Sequence, residues 1–326
     1  MSDLPAEFAL IARHFRPLAG PGALLLDDDA AVFAPPPGRD LVAAADAIVA
    51  GVHFLPDDPP DLVGKKLLRT NLSDLAAMGA VPFGYLMTVS VPRSTPDAWF
   101  AGFAAGLADD QAEFGVFLLG GDTTSTDGPV SLSLTILGHV APGTALRRTG
   151  ARDGDGLWVS GTVGDGALGL LAARGETGDP DGYLAGRYRL PRPRLALGQA
   201  VAGIAHAGID VSDGLVQDCG HLCRAGGVGA VIESASVPLS PAARAADRLA
   251  LCLTGGDDYE LLLAVPPDRE AALADAARHV GTAVTRIGGF RAGAPQVTVR
   301  APDGTAMPLA VGGWSHFAAG PAAAPP

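Results

Sequence analysis

Aspartates gather at turns beside apolar stretches of this chain. Asp27-Asp28-Asp29 follows Leu24-Leu25-Leu26, Asp122 follows Leu118-Leu119-Gly120-Gly121, Asp210 and Asp213 bracket Val211-Ser212, and Asp257-Asp258 follows Gly255-Gly256. Asp46 lies inside the apolar run 42–49, where no turn requires it. A carboxylate beside an apolar strand loses hydration, and several together repel one another, so a cation must compensate. Basic residues are scarce near these positions. Oxygen ligands without His or Cys suit a hard cation, and sharing its coordination with water and phosphate is the habit of Mg²⁺. The pattern predicts magnesium together with a nucleotide.

Each of these positions also has a plainer reading. Asp-Gly and Gly-Asp pairs are ordinary turn formers. Asp74, in Asn71-Leu72-Ser73-Asp74-Leu75, fits a solvated helix face as well as a metal site. Ser212-Asp213 suits the cap of a helix beginning at Gly214, and such a helix start is also an anion site. Gly120-Gly121-Asp122-Thr123-Thr124 is not followed by Gly-Lys-Ser/Thr, so it is no Walker A loop, and no kinase-type glycine loop occurs. Cys219-Gly220-His221-Leu222-Cys223 offers one local trio where structural zinc wants four ligands; the two cysteines read as core-facing on an amphipathic helix.

The elements that position these residues follow from periodicity. Val130, Leu132, Leu134 and Ile136 alternate with serines and threonine, predicting a strand over 130–140. Thr95-Pro96-Asp97 predicts a helix start, with Trp99, Phe103 and Leu107 on one face and Gly115 as the stop. Further helices are expected over 61–78, over 194–207 closed by Gly208, over 214–225 closed by Gly226-Gly227, and over 268–280 closed by Gly281. Further strands are expected over 41–49, 83–91, 116–119, 157–160, 228–232 and 259–265. Helices and strands alternate irregularly, so α/β and α+β both remain open. Ala141-Pro142-Gly143 divides the chain into expected domains 1–142 and 143–317, with an exposed loop near 175–182 and a disordered Ala/Pro tail over 318–326.

The 326 residues carry a net charge of −12, which argues against nucleic acid or an anionic membrane as partner. No run of about 18 apolar residues occurs, and Met1-Ser2-Asp3 opens no basic-then-apolar leader. Three cysteines are too few for a disulfide framework, and the expected location is cytoplasmic.

Taken together, the segments resemble the thiamine-monophosphate kinase family, in the superfamily of aminoimidazole ribonucleotide synthetase. The resemblance runs from Glu7-Phe8-Ala9-Leu10-Ile11 through Asp28-Asp29-Ala30-Ala31-Val32 and Asp46-Ala47-Ile48-Val49-Ala50-Gly51-Val52-His53-Phe54. It continues in Asn71-Leu72-Ser73-Asp74-Leu75-Ala76-Ala77-Met78-Gly79-Ala80 and Gly120-Gly121-Asp122-Thr123-Thr124. Asp210-Val211-Ser212-Asp213-Gly214-Leu215, Gly255-Gly256-Asp257-Asp258-Tyr259-Glu260-Leu261 and Gly313-Trp314-Ser315-His316-Phe317 complete it.

The resemblance implies a two-domain α/β fold of the aminoimidazole ribonucleotide synthetase type, paired through its N-terminal sheets in a homodimer, with the active site largely between domains. It implies ATP-dependent phosphorylation of thiamine monophosphate to thiamine diphosphate. Asp28, Asp29, Asp46, Asp74, Asp122, Asp210 and Asp213, with the Ala45 carbonyl, would hold several Mg²⁺ ions. Gly121, Asp122, Arg148 and Ser212 would contact ATP, and His53, Asp257 and Trp314 the thiamine monophosphate. Leu25-Leu26-Asp27 replaces the family's Gly-Ile-Gly, and Ala44-Ala45 its Ser-Thr.

The chemistry is consistent with that implication. The second pKa of a phosphate monoester is near 6, so the acceptor oxygen needs no general base, and direct in-line transfer without a phosphoenzyme is expected. A selenophosphate synthetase would want an N-terminal Cys, and the first here is Cys219; a carbamoyl dehydratase would want a C-terminal one, and this chain ends Ala324-Pro325-Pro326. An aminoimidazole ribonucleotide synthetase or a non-catalytic ATP sensor are the alternatives that an assay separates.

Overall fold

The computed structural model describes residues 6–316. Phe317 and the proposed tail 318–326 lie outside the described residues. The chain forms two compact units: one runs to Leu75 and resumes over Val81–Gly143, and the other takes in Ala76–Ala80 and continues from Thr144.

In the first unit the elements are α1 (Ala6–Leu10), β1 (Asp40–Val49), α2 (Pro60–Ala77), β2 (Val81–Pro92), α3 (Asp97–Phe114), β3 (Leu118–Thr126) and β4 (Ser131–Val140). The strands form one sheet in the order β1-β4-β2-β3, with β2 and β3 parallel and the other pairs antiparallel. One face of the sheet presents Val42, Ile48, Tyr85, Met87, Val89, Leu132, Leu134 and Ile136, all buried. From α2, Leu67, Leu68, Leu72 and Leu75 are fully buried, and so are Phe103 and Leu107 of α3. The opposite face presents Leu41, Val81 and Leu86, each exposed. Gly115 ends α3 with φ 68°, as its position in the sequence predicts. Pro96, and not Thr95, occupies the N-cap, without a side-chain bond.

In the second unit the elements are β5 (Gly156–Ser160), α4 (Asp165–Ala173), α5 (Tyr183–Arg189), α6 (Leu195–Val201), β6 (Ala207–Asp210), α7 (Leu215–Gly226) and β7 (Gly229–Glu233). They are followed by α8 (Pro241–Ala246), α9 (Leu249–Thr254), β8 (Leu261–Val265), α10 (Glu270–His279), β9 (Val284–Arg291) and β10 (Val297–Arg300). The sheet order is β10-β7-β9-β5-β8-β6. α7 packs on β6, β7, β8 and β10 and buries Leu215, Cys219, Leu222 and Cys223 completely. The cysteines are thus core residues of an amphipathic helix, as expected.

Two expected elements are corrected. The helix over 194–207 stops at Val201, and Ala207–Asp210 is a strand, because pairing with β8 outweighs the helix propensity of its alanines. The strand expected over 116–119 extends to Thr126, so Gly120-Gly121-Asp122 lies within β3 and not in a turn. No helix among the described residues is long and apolar enough to cross a membrane.

Candidate active site

In the first unit, Asp46 sits on edge strand β1, half-buried. Its backbone N–H donates to Asn71 Oδ1 at 3.0 Å, while Asn71 Nδ2 donates to Leu67 O at 2.8 Å. Asn71 is fully buried, so its side chain is fixed at both ends, and Asp74 lies one turn further along the same helix face. Asp46 and half-buried Asp74 are therefore brought to one edge of the sheet. Ala45, the residue before Asp46, pairs with Thr135 of β4.

Asp122 is elsewhere. It pairs with Thr88, which pairs with Ser133, which pairs with Ala47. Side chains alternate along each strand, so Asp122 shares the face of Ala47 and opposes that of Asp46, three strand spacings or about 14 Å away. One ion cannot be ligated by both side chains within this sheet. Gly121 has a packing reason of its own: a Cβ there would lie 1.7 Å from Met87 O. Asp28 and Asp29 are exposed in a loop closed by the Val32 N–H donating to Gly22 O at 2.8 Å. Asp27 of that loop pairs with Arg16. His53 Nδ1 accepts the Val49 N–H at 3.0 Å, which places the proton of the neutral ring on Nε2. The His53 carbonyl accepts from buried Lys66 at 2.8 Å.

In the second unit, β6 ends at buried Asp210, and the turn 211–214 leads into α7. Neither Ser212 nor Asp213 caps that helix, and the N-cap residue, Gly214, makes no side-chain bond. Asp218, within the helix, reaches back instead: its Oδ2 accepts the N–H groups of Ser212, Asp213 and Gly214, each at 3.1 Å. The amides of the turn that precedes α7 are thus taken up by the chain's own carboxylate. Burial, with the Asp210 and Asp213 charges adding to it, pushes the Asp218 carboxyl up to about 8, against the pull of the Asp213 and Gly214 amides. Asp213, Asp218 and His221 bring one potential ligand atom each within 4.8 Å of one another. Burial, then the Arg224 and Arg148 charges, holds the His221 imidazole below its ordinary value, so exposed Arg148 belongs to this neighbourhood.

Trp314 joins the same cluster. Its N–H donates to Asp213 O at 2.9 Å, and its carbonyl accepts from Gln217 Nε2 at 2.7 Å. Asp257 is held against the loop from the other side: its N–H donates to Ser212 O at 2.9 Å, and that of Tyr259 to Val211 O at 2.8 Å. Asp257 and Tyr259 have φ of 69° and 52°, a left-handed backbone that non-glycine residues adopt when surrounding contacts enforce it. The enforcing contacts lie beneath. Asp258, fully buried between them, accepts the Gly164 and Gly166 N–H groups at 2.7 and 2.9 Å. Fully buried Glu260 accepts from Ser160 Oγ and from Arg194 Nε at 2.6 Å each, and from Arg187 Nη2 at 3.1 Å.

Sequence reasoning missed Asp218, Gln217, Arg187 and Arg194, and it named Asp258 and Glu260 without the buried roles they take. Asp218 was discoverable as an acidic side chain one turn after Ser-Asp-Gly, the spacing by which a helix carboxylate reaches back to preceding amides. The arginines stand out as a basic run, Arg187 to Arg194, in an acidic chain.

Residues 27–140 match the family model described as AIR synthase related protein, N-terminal domain, and residues 152–299 the one described as AIR synthase related protein, C-terminal domain. A thiamine-monophosphate kinase of Caulobacter vibrioides is 48% identical over 297 residues, covering 88% of this chain and 84% of the relative. A crystal structure of thiamine-monophosphate kinase from Stenotrophomonas maltophilia K279a is 40% identical, with a TM-score of 0.82 over 93% of this chain and 98% of that one. A structure of AaThiL complexed with AMPPCP and TMP is 29% identical, with a TM-score of 0.76 over 89% of this chain and 91% of that one. The chain belongs to the AIR synthase related proteins and, within them, to the thiamine-monophosphate kinase family.

Proposed function

We propose that this chain transfers the γ-phosphoryl group of ATP to the phosphate of thiamine monophosphate, giving ADP and thiamine diphosphate. A phosphate oxygen of the monophosphate attacks the γ-phosphorus in line, and the bond from that phosphorus to the β,γ-bridging oxygen breaks. The observation that carries this reading is the Trp314 amide bonded to the Asp213 carbonyl at 2.9 Å, which joins the segment assigned to substrate to the loop assigned to metal and nucleotide. The relative solved with AMPPCP, an ATP analogue, and TMP supports both substrates.

The donor set fits magnesium: Asp28, Asp29, Asp46, Asp74 and Asp122 in the first unit, and Asp210 and Asp213 in the second, offer carboxylate oxygens, and all but Asp210 are at least partly open to water. Magnesium there would neutralise charge on the phosphates and align them. The chain's own residues do the rest. Arg148 and Ser212 face ATP, with Gly121 and Asp122 at the sheet edge. His53 Nε2–H donates to the substrate, because Nδ1 is taken by Val49. Asp257 and Trp314 flank the thiamine moiety, and no side chain is required as a general base. We place the homodimer contact on the uncovered sheet face of the first unit, where Leu41, Val81 and Leu86 are exposed, and the protein in the cytoplasm.

The test is incubation with ATP, MgCl₂ and thiamine monophosphate, following thiamine diphosphate by thiochrome fluorescence, beside Asp122→Ala. Magnesium-dependent product that the variant does not make is expected. Absence of product from folded, ATP-binding protein overturns the proposal and favours the ribonucleotide synthetase or the sensor.

A further inference from the structure

Gln217, which no part of the proposed chemistry uses, makes two hydrogen bonds through a single nitrogen. Its Nε2 donates to Asp213 Oδ2 at 3.1 Å and to Trp314 O at 2.7 Å. Both partners are acceptors only, so the amide can be oriented in one way alone, with NH₂ toward them. Each hydrogen of that NH₂ then serves one partner. The two partners are 101 residues apart in the chain, positions 213 and 314, and Trp314 is tied a second time through its N–H to Asp213 O at 2.9 Å. Gly313 completes the fit: a Cβ there would lie 2.5 Å from Gln217 Cβ and 2.8 Å from Asp213 O. The segment 313–314 is therefore a strap laid against the first turn of α7, with Gln217 as its clasp.

We infer that Gln217 is a positioning residue that couples the two substrate sites, transmitting the placement of the Asp213 carboxylate to the backbone that carries Trp314. The inference rests on the proposed roles of Asp213 toward nucleotide-bound magnesium and of Trp314 toward thiamine monophosphate. When Asp213 is drawn into a metal–nucleotide complex, the shared nitrogen holds Trp314 at a fixed offset from it, so the first ligand prepares the site of the second. In linkage terms the affinity for each substrate rises by the same factor when the other is bound. A residue that merely stabilised the fold would alter both affinities without altering that factor.

The experiment uses the full chain and isothermal titration with thiamine monophosphate, alone and with saturating AMPPCP and Mg²⁺. About tenfold tighter binding in the presence of AMPPCP is expected of the wild type, within the usual range of coupling. In Gln217→Met, which keeps the length and loses both donors, the ratio should fall below about twofold, while each ligand alone binds within about threefold of wild type. Gln217→Glu is isosteric and turns both donors into acceptors facing acceptors; it should lose the coupling and also release the strap. Release is read by faster hydrogen exchange at the Trp314 amide, with thermal melting confirming that both variants fold.

A Gln217→Met protein that keeps the wild-type ratio, or a wild type that binds both ligands without coupling, overturns the inference and leaves the kinase reading intact. A folded wild type that binds neither ligand overturns the kinase reading and the coupling with it.

Discussion

The Asp218 carboxylate turns back along its own helix to take the Gly214 N–H at 3.1 Å, and the same oxygen also accepts from Ser212 and Asp213. The turn that presents Asp213 is thus shaped by a carboxylate that has no solvent to relax into, since Asp218 is 2% exposed. Replacing Asp218 with Ala leaves three amides without an acceptor and should destabilise the protein by about 2 to 3 kcal/mol, whereas Asn, which keeps one carbonyl oxygen, should cost about 1 kcal/mol. Urea unfolding measures the difference. Kinase turnover should fall at least about tenfold in Asp218→Ala; an Ala variant as active as wild type would show that the turn holds its shape without the bond.

Asp258 predicts how stability depends on pH. Burial, opposed by the Gly164 and Gly166 amides, pushes its carboxyl up to about 8, and the Asp165 charge adds to the rise. The folded chain then holds a proton that the unfolded chain releases near pH 4. Stability from this group is full at low pH and is lost as pH climbs toward and through about 8. Melting temperature should therefore decline between about pH 4 and about pH 8 and level off above. Asp258→Asn, which cannot ionise but loses one acceptor, should melt lower at pH 6 by the equivalent of about 1 to 2 kcal/mol and show a flatter decline. Parallel slopes for the two proteins would place the proton elsewhere.

Residues whose signal is local were legible in the sequence, and residues whose role is set by distant neighbours were not. The alternation of Leu132, Leu134 and Ile136 declared β4, and Gly115, Gly227 and Gly281 declared helix ends because each takes a φ near +68° that other residues resist. β9 was missed because Gly288-Gly289 interrupts its pattern; its extended form is imposed by β5 and β7 on either side. The aspartates announced themselves as charges beside apolar runs. Asp257 and Asp258 could not be told apart, since which one enters the core depends on the left-handed residues around them and on glycines 92 and 94 positions away. Gln217 was silent for the same reason: one of its partners is 97 residues distant.

Leu24, Leu25 and Leu26 all have positive φ, 50°, 58° and 59°, and Leu25 stands where the resembling family has the first glycine of Gly-Ile-Gly. Each L-residue in this region costs about 1 to 2 kcal/mol, and the exposed side chains of Leu24 and Leu25 recover little by burial. Leu25→Gly should therefore stabilise the protein by roughly 0.5 to 1 kcal/mol, after the greater entropy of an unfolded glycine is subtracted. Thermal melting reads the sign. A lower melting temperature would mean that the leucine side chain makes contacts worth more than the backbone penalty.

Glu260 supplies the severest structural prediction. It is fully buried and accepts from Ser160, Arg187 and Arg194, so both of its oxygens are engaged. Burial opposes the charge on Arg194, yet the Glu260 hydrogen bond and charge raise its pKa overall, so the guanidinium stays ionised. Glu260→Ala removes the counter-charge and leaves Arg187, which is 6% exposed, with Asp165 at 3.9 Å and the Asp258 carbonyl at 3.4 Å as its partners among the described residues. An uncompensated buried charge of this kind costs about 3 to 5 kcal/mol. The loss should reach function through geometry, because Glu260 anchors the strand start that follows Asp257 and Tyr259. Glu260→Gln, which keeps an acceptor but not the charge, should retain the fold with a smaller loss, and its affinity for thiamine monophosphate should weaken more than that for AMPPCP. Equal weakening of the two would show that the network supports the second unit as a whole and not the Asp257 loop.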